Sequence, residues 1–95
     1  MPARAMRLKI GGDVWVRCDE VKNGIHPTER YFSFTIPDQP PITGFAQAQD
    51  IRPHKVRAIV VGVVGKLALL AFPGELISAT NPVPVPKTWL SQQAA

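Results

Sequence analysis

The stretch RAIVVGVVGKLALLAF, from Arg57 to Phe72, limits the possible folds of this chain more than any other feature. Apart from Arg57 and Lys66 it contains only apolar residues and glycine, and polar residues do not alternate with the apolar ones. It is shorter than the roughly 20 apolar residues of a membrane-spanning helix, and Lys66 interrupts it. Its glycines and β-branched residues favour strands over a helix.

Gly65 and Lys66 divide this stretch into two strands joined by a two-residue turn. Glycine at the first central position is typical of a type II′ hairpin. The resulting hairpin is apolar on both faces, so one face enters the core and the other needs a cover. We predict that a second subunit covers it; the alternative is that the loops at 37–44 and 74–82 do so. The predicted oligomer interface consists of Ile59, Val61, Val63, Ala68, Leu70 and Phe72.

Shorter strands are predicted on either side of a polar turn near Asn23. From about Asp13 to Val21 the chain alternates, with Val14, Val16 and Cys18 on one side and Trp15 and Arg17 on the other. Residues 30–36 alternate in the same way, and prolines end the segments. The segment PKTWL suits one helical turn.

This order of short strands resembles the layout of small SH3-like barrels. The predicted fold is therefore all-β: an SH3-like or similar five- to six-stranded β-barrel with at most one or two short helical turns. We predict one domain over residues 8–90, a flexible basic lead at 1–7 and a C-terminal tail at 91–95.

The sequence contains no recognisable catalytic or metal-binding motif. Its single cysteine, Cys18, excludes an internal disulfide framework, and its strand position predicts a core residue. His26 and His54 lie in predicted loops without the spacing of metal ligands. The N-terminus lacks the apolar block of a secretory signal. We therefore predict a cytoplasmic protein with no metal and no cofactor.

Basic residues are the strongest functional signal. The chain has a formal net charge of +4 and a pI near 9.7. Basic side chains with an outward aromatic are typical of surfaces that hold phosphates and stack bases. The alternative is that these charges only keep a small barrel soluble. The predicted contacts to nucleic acid or an acidic partner are Arg17, Arg52, Lys55, Arg57 and Tyr31.

Three functional hypotheses follow. The leading one is a non-catalytic β-barrel binding module that self-associates and contacts nucleic acid. The second is an oligomeric enzyme whose small-molecule pocket forms at the subunit interface. The third is a structural subunit of an assembly encoded by a phage or mobile element.

Overall fold

The computed structural model describes residues 8–24 and 26–92, and it is built from antiparallel strands. Helical structure in the described residues is limited to two 3-10 turns, Ala48–Asp50 and Lys87–Trp89, and neither is long enough to cross a membrane. The strands are β1 (Asp13–Arg17), β2 (Glu20–Asn23), β3 (Glu29–Phe34), β4 (Ile42–Gln47), β5 (Ile51–Arg52), β6 (Lys55–Val64), β7 (Leu67–Ala71), β8 (Glu75–Leu76), β9 (Val83–Pro86) and β10 (Leu90–Ser91).

These strands form two sheets. The first has the order β10-β1-β6-β7-β9, with β5 also paired to β6; the second has the order β2-β3-β4-β8. The prediction of an all-β fold is confirmed, and so is that of one or two short helical turns. A closed barrel is not seen, because no strand pairing among the described residues joins the two sheets.

The chain passes between the sheets at four places: from β1 to β2, from β4 to β5, from β7 to β8 and from β8 to β9. The predicted strand from Asp13 to Val21 is divided: Cys18 N–H donates to the carbonyl of His54 beside the first sheet, and Asp19 N–H donates to Ser33 of the second. The 3-10 turn Ala48–Asp50 carries the chain back from β4 to β5. These short crossings hold the sheets against each other.

The core lies between the two sheets. Val14, Val16 and Cys18 are buried, as their alternation predicted. Phe32 and Phe34 of β3 are fully buried and pack against residues from outside the second sheet. Phe72 lies 5.7 Å from the Phe32 ring and 5.8 Å from the Phe34 ring, and Trp89 lies 6.2 Å from Phe34.

The β6–β7 hairpin forms as predicted, with one shift of register. Gly65 has the positive φ of 57° expected at the first central turn position. A β-bulge at Val61 then separates the pair Gly62–Leu69 from the pair Val60–Leu70. Because a bulge adds one residue to one strand, it reverses which residues of β6 and β7 share a face.

Because of this shift, part of the predicted interface lies in the core instead. Ala68 and Leu70 have no exposed surface and Phe72 is 3% exposed, so all three belong to the core of their own chain. Ile59 is half-buried, whereas Val61 and Val63 are exposed. The outward face instead carries Gly62, Val64, Leu67 and Leu69, which pair across the two strands.

Two boundaries also differ from the sequence analysis. The predicted loop at 74–82 contains β8, which pairs with β4. Ser91, expected in the tail, is part of β10 and pairs with Trp15. The predictions for residues 1–7 and 93–95 lie outside the described residues.

Candidate nucleic-acid interface

Three basic side chains form a row across the first sheet. Arg17 on β1 is opposite Lys55 on β6, and Lys55 is opposite Arg52 on β5. Neighbouring strands are about 4.8 Å apart, so the row crosses three strands within roughly 10 Å. Alternation with the buried Val16, Val56 and Ile51 places it on the outer face, the side of the sheet away from the core. We call these three residues the cationic row.

Each arginine of the cationic row lies against a tryptophan. The guanidinium of Arg17 is 4.5 Å from the ring centroid of Trp89, and that of Arg52 is 4.9 Å from the ring centroid of Trp15. The tryptophans are half-buried and both arginines are exposed. Stacking on a ring fixes a guanidinium while leaving its edge N–H groups directed outward.

The hydrogen bonds of the row differ from member to member. Arg17 has no hydrogen-bond or ion-pair partner among residues 8–24 and 26–92. One nitrogen of Arg52 donates to the carbonyls of Gln49 and Ile51. Lys55 donates to the Ser91 hydroxyl at 3.1 Å. Arg17 and Arg52 are therefore the members best able to bind an anion.

Arg57 is adjacent to the row but is neutralised within the chain. Its Nε donates to Asp50 Oδ1 at 2.7 Å, and its Nη1 donates to Asp13 Oδ1 at 2.9 Å. The hydrogen bond to Asp50 is the largest cause that raises the pKa of Arg57 above its usual range. With both carboxylates engaged, Arg57 is a structural residue of this face and not a free phosphate contact.

Tyr31 does not join the other predicted contacts. It lies on β3 of the second sheet, opposite Phe45, with ring centroids 5.8 Å apart. Together with Lys22 these rings line a shallow, mostly apolar hollow of about 400 Å³. The aromatic partners of the basic residues are Trp15 and Trp89 instead, which the predicted set omitted although Trp15 shares the outward phase of Arg17.

A second feature of the surface is apolar. Six large hydrophobic residues of the described chain are exposed, and four of them belong to the distal part of the β6–β7 hairpin. Gly11 N–H donates to the carbonyl of Val60, so the turn that contains Ile10 lies beside Val60, where this distal part begins. We call the five residues the apolar tip: Ile10, Val61, Val63, Val64 and Leu67.

Cys18 is buried, and the two histidines are exposed. Burial, followed by the charge of Asp19, raises the pKa of the Cys18 thiol to about 12, so the nucleophilic thiolate does not form at neutral pH. His26 and His54 are exposed in turns. Over the described residues, no three His, Cys, Asp or Glu side chains converge as metal ligands do.

An acidic cleft of about 400 Å³ lies at the junction of β4 with the segment before β8. Glu29, Asp50 and Glu75 contribute to its lining, together with Phe45 and Pro73. Asp50 is already bonded to Arg57, and the cleft contains no nucleophile beside a base. Its geometry therefore supports no particular reaction.

The comparisons with known proteins add no family to this description. Neither the family models, nor the curated proteins, nor the solved structures compared with the chain match it.

Proposed function

We propose that this protein is a non-catalytic binding module that contacts single-stranded nucleic acid through its cationic row and self-associates through its apolar tip. The SH3-like barrel stays our interpretation of the strand layout, and the cytoplasm our expected compartment. The observation that carries the binding proposal is the convergence of Arg17, Lys55 and Arg52, with a tryptophan beneath each arginine.

The energetics of the row favour an anionic ligand. Like charges directly opposite each other on neighbouring strands destabilise a sheet. Arg57 avoids this cost by pairing with two carboxylates, but no carboxylate bonds to Arg17 or Arg52 in the described chain. A phosphate backbone would remove the repulsion, and the guanidinium planes held on the tryptophan rings offer surfaces on which unpaired bases stack. Duplexes do not expose base faces, so single strands suit this surface better.

Binding is tested with a fluorescently labelled oligothymidylate by anisotropy over a salt series. Two to three phosphate contacts predict that log K falls against log salt with a slope of about −1.5 to −2 on single strands. Arg17→Gln and Arg52→Gln should each reduce the slope by about 0.7. Lys22→Gln is the matched control, because it removes one positive charge from β2 of the second sheet.

Three results would count against the nucleic-acid proposal. The first is no binding at low salt, and the second is an equal loss of affinity in Lys22→Gln. The third is tighter binding to a duplex than to the single strand of the same length. A metabolite that raises the melting temperature without salt dependence would instead support the enzyme hypothesis. A fixed assembly without any soluble ligand would support a structural subunit.

Self-association is a second proposal, and it rests on the apolar tip. Exposed hydrophobic residues are ordinary when scattered, but a cluster at one place is typical of an interaction site. Val61→Lys should produce a monomer that remains folded, because Val61 is 45% exposed. Val60→Lys is the contrasting variant: Val60 is fully buried, so its replacement should unfold the domain. Light scattering after size exclusion and circular dichroism measure the two outcomes.

A further inference from the structure

The distal half of β6 is an unprotected sheet edge. Pairing of β6 with β1 reaches Ile59 and is continued at Val60 by hydrogen bonds to Gly11 and Gly12. From Val61 to Val64, no described strand pairs with that side. Such an edge presents unpaired backbone groups to other chains, and proteins usually protect it with charge or proline.

The other long edges do carry such protection. One outer edge of the first sheet is β9, in which Pro84 and Pro86 have no N–H to donate; the other is the two-residue strand β10. The edge strand β2 carries Glu20 and Lys22, which form an ion pair. Only valine and glycine occur between Val61 and Val64 of β6.

Backbone geometry identifies the centre of a pairing. The pair Val64–Leu67 flanks a two-residue turn, so its N–H and C=O groups bond across the hairpin. Because antiparallel pairs alternate, the N–H and C=O groups of Val63 point away from β7. A second copy of β6 running antiparallel places Val63 opposite Val63, where the two residues exchange two hydrogen bonds.

We infer that two copies of this chain pair along β6, centred on Val63, and form a closed two-fold dimer. The inference deepens the proposed self-association and rests on it. The edge is its own complement, since the same uncharged residues face each other about the axis. The pairing uses the free β6 edge of each chain, and the prolines of β9 oppose strand addition at that outer edge, so we expect assembly to stop at two chains.

The size of the contact predicts a weak dimer. The exposed surface of the apolar tip is on the order of 400 Å² per chain, about half of the roughly 800 Å² per partner in a standard stable interface. We therefore expect dissociation in the micromolar range, within reach of sedimentation velocity.

Pairing about this axis also aligns the two cationic rows. The two-fold axis between antiparallel edge strands is perpendicular to the sheet, so both outer faces lie on the same side. Lys55 of the cationic row is eight residues from Val63 along β6; at about 3.3 Å per residue each row lies about 26 Å from the axis, so the two rows are about 50 Å apart. Bridging them takes about fifteen stacked nucleotides at 3.4 Å each. A long single strand can therefore contact both subunits, and a hexamer can contact only one.

The experiment compares wild type, Val63→Pro and Leu69→Ser by sedimentation velocity from about 5 to about 500 µM. Proline at 63 removes the N–H at the free edge and leaves the bonds to β7 in place, so we expect a folded monomer. Leu69→Ser changes the outward face without touching the edge and should remain a dimer. If circular dichroism shows that Val63→Pro is unfolded, Val61→Lys replaces it.

A dimer that survives in Val63→Pro but is lost in Leu69→Ser would overturn edge pairing and leave self-association through the outer face. A monomeric wild type over the whole range would overturn both. Oligonucleotide length gives a separate readout. Wild type should bind a 25-mer at least about tenfold more tightly than a hexamer, and Val63→Pro should lose that preference. Binding of the hexamer, which does not need the dimer, still tests the cationic row if the dimer is absent.

Discussion

Replacement of Arg57 by methionine should be the most destabilising change on the outer face. The side chain of Asp50 is 9% exposed and that of Arg57 is 27% exposed, so the bond between them is largely shielded from water. Removal of one partner of a buried pair costs about 3–5 kcal/mol, because the other charge stays buried and unpaired. Since Arg57 is partly exposed, we expect the free energy of unfolding to fall by about 2–3 kcal/mol. Most of this loss comes from the ion pair, because methionine retains the apolar stem of the side chain.

The comparison with Asp13→Ala isolates the cause. Arg57 also bonds to Asp13, whose side chain is 59% exposed. An exposed pair of this kind contributes at most about 1 kcal/mol. The double variant Asp50→Asn, Arg57→Met removes both the buried charge and its partner, so it should be more stable than Arg57→Met alone.

Thermal and urea unfolding followed by circular dichroism measure these differences. For a domain of this size, 1 kcal/mol corresponds to about 4–8 °C, so Arg57→Met should melt roughly 10–20 °C below wild type. Equal losses for Arg57→Met and Asp13→Ala would refute the reasoning, because they would show that Asp50 gains nothing from its partner. A double variant no more stable than Arg57→Met would refute it as well.

Three further predictions concern two glycines and Cys18. In urea titrations, Gly74→Ala should lower the free energy of unfolding by more than about 2 kcal/mol, because the added Cβ would lie 1.8 Å from the carbonyl oxygen of Phe45. Gly65→Ala should lower it by about 1 kcal/mol, because the added Cβ meets no neighbour but the backbone has a positive φ. Cys18 should react with a thiol reagent at pH 8 only as the protein unfolds; equal rates in folded and urea-unfolded protein would contradict its burial. Since folding raises the pKa of this thiol from about 9 to about 12, only the unfolded state loses the proton between these values, and stability should fall as the pH rises through that window.

Much of the fold follows from two local features of the sequence. Alternation placed Val14, Val16, Phe32 and Phe34 in the core, because a strand with one buried face repeats every two residues. Gly65 predicted the hairpin turn, because glycine readily adopts the positive φ that this turn requires. These features depend on neighbouring residues only, so a single sequence contains them.

The bulge at Val61 could not be predicted in the same way. All residues from Ile59 to Val64 are apolar or glycine, and a strand without polar residues gives no signal for which side faces inward. The predicted interface therefore had the wrong phase on β7, which placed Ala68 and Leu70 outside. Packing between the two sheets decides the register, and that information is not local.

The sequence alone could have identified Asp50 as a partner of Arg57. Arg52 pairs with Lys55 across a two-residue turn at Pro53 and His54. Extending this register by two pairs places Asp50 opposite Arg57, where the structure has the hydrogen bond. A hairpin assigned at 53–54 would have shown that Arg57, one of the four basic residues among the predicted contacts, was already neutralised. The convergence of Arg17 with Lys55, by contrast, depends on a pairing between strands 38 residues apart, which no local pattern indicates.

Strand β6 connects the two proposed contacts, and its length is informative. It has ten residues, about twice the usual five to six. The first half lies between β1 and β5 and supports the cationic row, whereas the second half pairs with β7 alone and exposes Val61, Val63 and Val64. In an isolated chain both halves carry a cost: the clustered positive charge of the first half opposes folding, and the exposed apolar edge of the second half promotes aggregation. A second β6 removes the second cost and a phosphate backbone removes the first, so both features are better explained by partners than by the stability of the single chain.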